Sequence, residues 1–266
     1  MNNKSKKLKI IAITTIAVLF FIAVRLFFAT VYAFPILMYH GIDKNPGNSK
    51  LTVSVQDFAA QMNFLKRHEF KVLPLDEVVG LVKSHKSLPK KAVAITIDDG
   101  YENNYVYAYP VLKKNNFPAT IFVIAGAVGK SGFLPVTELK EMLGNKIDIG
   151  SHSFTHPWLP ELKEDALVKE IFDSKAALEK LLDKKVNFFC YPAGGFNAKV
   201  EAMVKAAGYL GACTTNPGRR FSNRDIFALK RVRISGGNAR IRDNLLVFRI
   251  KISGYYLGTK KYWKKD

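Results

Sequence analysis

The chain has 266 residues, of which 48% are hydrophobic and 24% are charged, so it can bury one core of about 200–250 residues. Its two cysteines are too few for a disulfide framework. Each lies in an apolar run, so two buried thiols are expected, with a single bridge outside the cytoplasm as the alternative. The formal net charge of +19 divides into +5 for residues 1–34, +3 for residues 35–218 and +11 for residues 219–266. Strong basicity is therefore a property of the two ends and not of the central domain.

The N-terminal segment has the pattern of a membrane anchor. Residues 1–9 hold four lysines and no acid, and residues 10–34 are almost wholly apolar apart from Arg25 and a few Thr and Tyr. A spanning helix needs about 20 residues. Residues 1–34 are therefore predicted to form a basic cytoplasmic stub and a single-pass transmembrane signal anchor, with the rest of the chain outside the cytoplasm. Cleavage near Ala33 is the alternative and would release a secreted protein.

Strands and helices alternate through the rest of the chain. Strands are predicted at 35–40, 70–73, 92–97, 119–124, 147–150, 187–191, 210–215 and 228–234, and helices at 54–69, 75–84, 103–114, 136–143, 163–182 and 198–207. Sustained alternation predicts an α/β fold with a parallel sheet and right-handed crossovers, which an open sheet or a barrel would satisfy. Polar residues follow several of the strands, and in a barrel such positions converge on one mouth. This convergence favours a barrel, formed by one domain over residues 35–238.

Two adjacent carboxylates, Asp98 and Asp99, follow the apolar run of residues 92–97 (AVAITI). Neighbouring residues at a strand end point in different directions, so one carboxylate can coordinate a cation while the other accepts a proton. The alternative interpretation is a structural Asp-Asp-Gly turn.

Two of the five histidines, His152 and His156, are four positions apart and follow the predicted strand at 147–150. Histidines at this spacing fall on one side of a helical turn and can share a metal ion. Together with one aspartate they form an Asp-His-His set that leaves positions open for water and substrate, and zinc is the default ion for such ligands. His40 ends the first predicted strand, and taken alone it is a structural residue.

Three segments carry a resemblance to a known family. Residues 96–100 (TIDDG) and 152–156 (HSFTH) resemble, in order and separation, the first two motifs of the polysaccharide deacetylases, which are the NodB-homology domains of carbohydrate esterase family 4. Residues 189–194 (FCYPAG) resemble the third motif. The resemblance covers roughly residues 35–235, and the paired first two motifs are highly specific.

The resemblance implies a distorted (β/α) barrel with about seven parallel strands. It also implies roles for individual residues: Asp98 as the catalytic base, Asp99, His152 and His156 as metal ligands, and Tyr191 with Pro192 at the oxyanion and substrate, through the backbone N–H of Tyr191.

The chain departs from the family pattern at two places. Cys190 stands where the third motif has an arginine, and no histidine follows His156 to act as the general acid. A circularly permuted subgroup, similar to the biofilm poly-N-acetylglucosamine deacetylases, has its acid histidine on the first strand, and this implies that His40 is the general acid. Arg231 or Arg233 could orient Asp98 in place of the missing arginine, and the sequence does not choose between them.

These features predict a metal-dependent hydrolase that removes acetyl groups from an N-acetylglucosamine polymer of the extracellular matrix or cell wall and releases acetate. Poly-N-acetylglucosamine is the first expected substrate, and peptidoglycan is the second. The alternatives are a catalytically inactive wall-polymer-binding protein on the same scaffold and a deacetylase of a non-carbohydrate amide. Residues 239–266 are predicted to form a basic, aromatic tail that suits a lipid or acidic polymer surface. A nucleic acid partner is not expected for an exported chain.

Overall fold

A computed structural model describes residues 3–31, 34–215, 225–236 and 245–254, without the side chains of residues 3–6, 8 and 25–31. Its α-helices are α1 Asn3–Val31, α2 Val55–Arg67, α3 Leu75–Lys83, α4 Tyr109–Asn115, α5 Val136–Leu143, α6 Glu164–Val168, α7 Ser174–Leu182, α8 Ala198–Ala206 and α9 Leu245–Ile252. Its strands are β1 Ile36–Tyr39, β2 Gly41–Asp43, β3 Thr52–Ser54, β4 Lys71–Val72, β5 Ala92–Ile97, β6 Ala119–Val123, β7 Ile147–Ser151, β8 Phe188–Cys190, β9 Gly211–Cys213 and β10 Val232–Arg233. Two π-helical turns, Asn104–Ala108 and Lys169–Asp173, precede α4 and α7.

Seven strands of the described chain form one parallel sheet in the order β10-β1-β5-β6-β7-β8-β9, and β4 pairs with β5 outside this path. A parallel bridge between Cys213 and Leu229 joins β9 to the segment that leads into β10. The sheet therefore curves round on itself with helices on its outside, as in a distorted (β/α) barrel. The predicted α/β class and strand number are confirmed.

Alternate residues of the strands supply two hydrophobic layers. In β5 all six residues are buried, with Val93, Ile95 and Ile97 in the cluster shared with the helices, and Ala92 and Ala94 in the opposite cluster. This second cluster also contains side chains of neighbouring strands. It lies on the face of the sheet that is turned toward the interior of the barrel. Such two-sided burial explains why the strand sequence is continuously apolar.

Local signals fix several helix boundaries. The Ser54 hydroxyl accepts a hydrogen bond from the Asp57 N–H at 3.1 Å, so Ser54 is the N-cap of α2, where the predicted helix begins. The helices predicted at 103–114 and 163–182 are correct in place, but each contains a π-helical turn that the sequence pattern does not reveal. The short parallel pair of β2 and β3 was also not predicted.

The C-terminal segment differs from the predicted tail. Its residues 245–252 form α9, in which the Phe248 side chain is fully buried and meets the Phe64 ring of α2 edge-on, with the centroids 6.4 Å apart. The Arg249 guanidinium lies over the same Phe64 ring at 5.5 Å. This part of residues 239–266 therefore packs on the catalytic domain because it has an apolar side to bury. Residues 255–266 lie outside the described part.

The N-terminal segment is helical over Asn3–Val31, and its apolar side chains between Ile10 and Ile22 are exposed. Within the parts of the chain that the structure describes, no helix meets the length and apolarity that crossing a membrane requires. The predicted transmembrane helix is therefore not confirmed. The alternative cleavage site near Ala33 lies outside the described residues.

Candidate active site

The predicted site residues meet at one end of the barrel. His40 follows β1, Asp98 and Asp99 follow β5, His152 follows β7, and Cys190 ends β8. Because the strands are parallel, their carboxyl ends lie at the same edge of the sheet. The tertiary structure thus brings together side chains that are up to 150 positions apart.

Asp98 is held by a fully buried arginine. Arg231 donates from both terminal nitrogens to the two carboxylate oxygens of Asp98, each at 2.6 Å, and neither side chain is more than 1% exposed. Arg231 also donates to the Thr96 hydroxyl at 2.9 Å and to the Thr214 carbonyl at 3.1 Å. A guanidinium fixed by these bonds can present the carboxylate in one orientation only.

The charge of Arg231 decides the protonation of Asp98. Burial by itself would raise the pKa of the Asp98 carboxyl, but the guanidinium, through its charge and its hydrogen bonds, holds the pKa well below its usual range. Asp98 is therefore ionised at neutral pH although it is buried.

Asp99 faces the two histidines. Its Oδ1 lies 3.5 Å from Nε2 of His152 and 3.7 Å from Nε2 of His156, and the two imidazole rings meet edge-on with centroids 4.7 Å apart. One ligand atom from each of these three residues lies within 4.8 Å of the others. Ligand atoms bound at 2.0–2.2 Å around one tetrahedral ion lie about 3.3–3.5 Å apart. The three side chains therefore fit a divalent cation.

The bonding of His152 supports this fit. Its Nδ1 lies 2.8 Å from the Cys190 carbonyl oxygen, which requires a proton on Nδ1 and leaves Nε2 as the ligand atom toward Asp99. Burial lowers the pKa of His152, and this favours the neutral ring that a metal ion needs. Burial and the neighbouring Asp98 charge raise the pKa of Asp99, although the two histidines act in the opposite sense.

A second group, Asp98, His152 and Cys190, also brings its ligand atoms within 4.8 Å. There, however, Arg231 already bonds both oxygens of Asp98 and lies 3.0 Å from the Cys190 sulfur. A cation in that position would face a guanidinium with no water between them. The group around Asp99 is therefore the one suited to a metal ion.

The backbone at the site adopts conformations that most residues avoid. Asp99 has φ 72°, Ser153 has φ 64° and His156 has φ 65°. Gly100 also has φ 72°, and a Cβ there would lie 2.8 Å from Cγ1 of Val123, so no other residue fits. Left-handed residues concentrated at one place are typical of functional sites held by their surroundings.

His40 lies beside Asp98, with its Nε2 4.0 Å from Oδ2. Burial lowers the pKa of His40 to about 4; the Asp98 charge acts in the opposite sense, and the charges of Arg231 and Arg233 add to the lowering. The ring is therefore neutral at pH 7. Its backbone is held by Asn104, a fully buried residue of the first π-helical turn whose Nδ2 donates to the His40 carbonyl at 2.8 Å.

The role expected of Tyr191 is wrong. Its backbone N–H donates to the Cys213 carbonyl at 3.0 Å as part of the pairing of β8 with β9, so it cannot serve an oxyanion. Its side chain is fully buried and stacks on Phe196, and Pro192 is buried as well and has no N–H. The next residue, Ala193, is exposed, and its N–H has no hydrogen-bond partner among the described residues.

A family model described as polysaccharide deacetylase matches residues 85–212. YxkH of Bacillus subtilis strain 168, named as a candidate polysaccharide deacetylase, is 36% identical over 203 residues, which cover 76% of this chain and 72% of YxkH. The chain belongs to the polysaccharide deacetylase family.

Two further similarities agree with this family membership. The poly-β-1,6-N-acetyl-D-glucosamine N-deacetylase of Staphylococcus aureus strain MRSA252 is 34% identical over 173 residues, which cover 59% of each chain. The deacetylase PplD of Streptococcus pyogenes, solved in complex with acetate, matches with a TM-score of 0.71 and 31% identity over 76% of this chain and 92% of that chain.

The departure of this polysaccharide deacetylase from the family's third motif has a structural explanation. Cys190 is a small residue, and the Arg231 guanidinium that bonds Asp98 lies 3.0 Å from its sulfur, in space that a longer side chain would fill. Arg233, the other candidate, is exposed. Both cysteines are free and buried, as predicted, and burial raises the pKa of Cys190 well above its usual value, so it is an unreactive thiol.

Proposed function

We propose that this chain is a metal-dependent hydrolase that removes acetyl groups from an N-acetylglucosamine polymer. One observation carries the proposal: an ionised carboxylate, Asp98, fixed by Arg231, stands beside a separate Asp-His-His group that fits a cation. An inactive polymer-binding protein is the alternative that the missing motif arginine would favour. Arg231, which bonds both oxygens of Asp98, supports an active enzyme instead.

Asp99, His152 and His156 would hold the ion, and their one oxygen and two nitrogen ligands favour zinc. When bound, a divalent cation polarises the acetamide carbonyl and lowers the pKa of a water molecule.

Asp98 is the base in the proposed reaction. It is ionised at neutral pH because Arg231 stabilises its charge, so it can accept the proton of the attacking water. Arg231 keeps the carboxylate in one orientation during this transfer. The Ala193 N–H, for which the described residues offer no acceptor, replaces that of Tyr191 as the backbone donor to the developing oxyanion.

His40 delivers the proton to the leaving amine. The low pKa of His40 makes a charged resting imidazole unfavourable, so the proton must arrive during the reaction. The nearby Oδ2 of Asp98, 4.0 Å from Nε2 of His40, is the available source. His40 would thus take the proton from Asp98 and pass it to the sugar nitrogen, which leaves as an amine while the acetyl group leaves as acetate.

The preferred substrate is poly-β-1,6-N-acetylglucosamine, supported by the similarity to the Staphylococcus aureus enzyme that is named for it. Acetate release should be measured from β-1,6-linked N-acetylglucosamine oligomers and from peptidoglycan fragments, with zinc and with a chelator. Release from the β-1,6 oligomers that the chelator abolishes and zinc restores is the expected result. Release that survives complete metal removal would refute the metal-dependent mechanism.

We further propose that the catalytic domain acts outside the cytoplasm, supported by the lysines of residues 1–9 and the apolar run that follows them. Digestion of intact and lysed cells with proteinase K tests this location. The domain should be cut in intact cells, whereas protection until lysis would overturn the proposal.

A further inference from the structure

One buried carboxylate that the proposed reaction does not use holds the loop of the two histidines. Glu170 lies in the π-helical turn between α6 and α7 and is 5% exposed. Its Oε2 accepts hydrogen bonds from the N–H groups of Phe154 and Thr155 at 2.9 and 2.8 Å, and its Oε1 accepts one from the Thr155 hydroxyl at 2.6 Å. All three donors lie between His152 and His156.

The loop needs such support because its backbone is unfavourable by itself. Ser153 and His156 are both left-handed, with φ 64° and φ 65°, and neither residue is a glycine. The Ser153 hydroxyl accepts the His156 N–H at 2.9 Å, which closes the loop but does not attach it to the barrel.

Two sides of the barrel attach the loop. On one side, the carbonyls of Ser153 and Phe154 accept the N–H groups of Ala125 and Gly126 at 3.0 and 2.9 Å. On the other side, Glu170 is the acceptor for the N–H groups of Phe154 and Thr155. Removal of Glu170 would take away these acceptors and leave the loop attached to the barrel on one side only.

The burial of Glu170 depends in turn on the hydrogen-bond donors that the loop supplies. It lies on the buried face of its helix, between Leu167 and Leu178 and beside Ile171, where an apolar residue is expected. A carboxylate buried without donors is strongly unfavourable. Glu170 and the loop therefore stabilise each other.

We propose that Glu170 is a positioning residue of the metal site, which sets the affinity for the cation by fixing the loop that carries His156. This inference rests on the metal site of the proposed function. It concerns the place of the ligand and not the chemistry of the reaction.

Zinc binding by the full-length metal-free protein, measured by calorimetric titration, tests the proposal without using activity. Glu170→Ala should raise the Kd for zinc by about 10–100-fold, as loss of supporting contacts does at other metal sites. Glu170→Gln should stay within about threefold of the parent, because its amide oxygen can accept the same two N–H groups.

Glu170→Asp separates position from charge. It keeps the negative charge but is one methylene shorter, so its oxygens do not reach both N–H groups. The proposal predicts that Glu170→Asp weakens zinc binding nearly as much as Glu170→Ala does. Weak binding by Glu170→Gln together with normal binding by Glu170→Asp would mean that charge matters and position does not, and would overturn the proposal.

Glu179 gives a matched control. Its Oε1 accepts the Val186 N–H at 3.0 Å, so it fixes a backbone turn that has no place in the site. Glu179→Ala should lower Tm and leave the Kd for zinc unchanged.

Thr155→Val gives a second test if Glu170→Ala does not fold, since Thr155 is exposed and the change removes only one donor to Glu170. We expect a several-fold rise in the Kd for zinc. Parental zinc affinity in Thr155→Val and in every folded Glu170 variant would overturn the proposal. A parent protein that binds no zinc would instead refute the metal assignment itself.

Discussion

The two sides of the site differ most clearly at Asp98 and Asp99, which are neighbours in the chain. Asp98 is fully enclosed and bonded through both oxygens to Arg231, so the pKa of Asp98 lies below its usual range. Among the described residues Asp99 has no such cation; it faces His152 and His156 at 3.5 and 3.7 Å, and burial raises its pKa. The difference shows that Asp98 has its counter-charge within the protein, whereas Asp99 and its histidines have ligand atoms available for an ion.

Asp98→Asn should give the largest effect on activity. Loss of the base should lower kcat for deacetylation by about 10²–10⁴-fold, while zinc should still bind at a stoichiometry of one. Acetate release and metal content should be measured on the same preparation, with Tm to establish folding. An unchanged kcat would refute the assignment of the base.

Asp99→Ala should act on the other side of the site. Removing one of three protein ligands should weaken zinc binding by at least about 10²-fold and reduce activity in parallel. Excess zinc should recover part of the activity, which it should not do for Asp98→Asn. If Asp99→Ala kept zinc as tightly as the parent does, the ligand set would have to be reassigned.

His40→Ala should lower the rate for the amide substrate by about 10²-fold. For 4-nitrophenyl acetate, whose leaving group needs no proton, we expect the rate to stay within a few-fold of the parent. The ratio of the two rates is the measurement. An equal loss on both substrates would contradict proton delivery by His40.

Arg231→Leu and Arg233→Leu form a matched pair for stability. The first leaves a buried carboxylate without its partner and should lower the free energy of unfolding by about 3–5 kcal/mol. The second changes an exposed side chain and should alter it by less than about 0.5 kcal/mol. Urea denaturation measures both, and Asp98→Asn added to Arg231→Leu should recover part of the loss.

Asp148 shows the effect of burial on a carboxyl: burial raises its pKa to about 6, although the Ile149 N–H and the charge of Lys184 act in the opposite sense. The folded protein therefore disfavours its ionised form, and stability should fall as pH rises from about 4 through about 6. Asp148→Asn should match the parent at pH 4 and be about 2–3 kcal/mol more stable at pH 7.5. Unfolding curves at both pH values give the comparison, and an equal difference at the two would argue against titration of Asp148.

Local sequence patterns were sufficient for the parts of the molecule that depend on near neighbours. The apolar run of β5 and the start of α2 at Ser54 reflect contacts within a few positions, and such patterns placed most of the strands and helices. The spacing of His152 and His156 predicts one side of a helical turn, but the two residues lie in a loop in which Ser153 and His156 are left-handed, and only their proximity to Asp99 agrees with the expected set. The alternation of elements indicated a barrel.

Contacts between distant parts of the chain were decided only by the tertiary structure. Arg231 lies 133 positions from Asp98, and only the structure distinguishes it from Arg233, because Arg231 is buried against Asp98 whereas Arg233 is exposed. The pairing of β8 with β9 occupies the Tyr191 N–H, and the π-helical turn brings Glu170 to the histidine loop. No periodicity or spacing in the sequence marks these contacts, because they arise only when the barrel closes and brings its strand ends together.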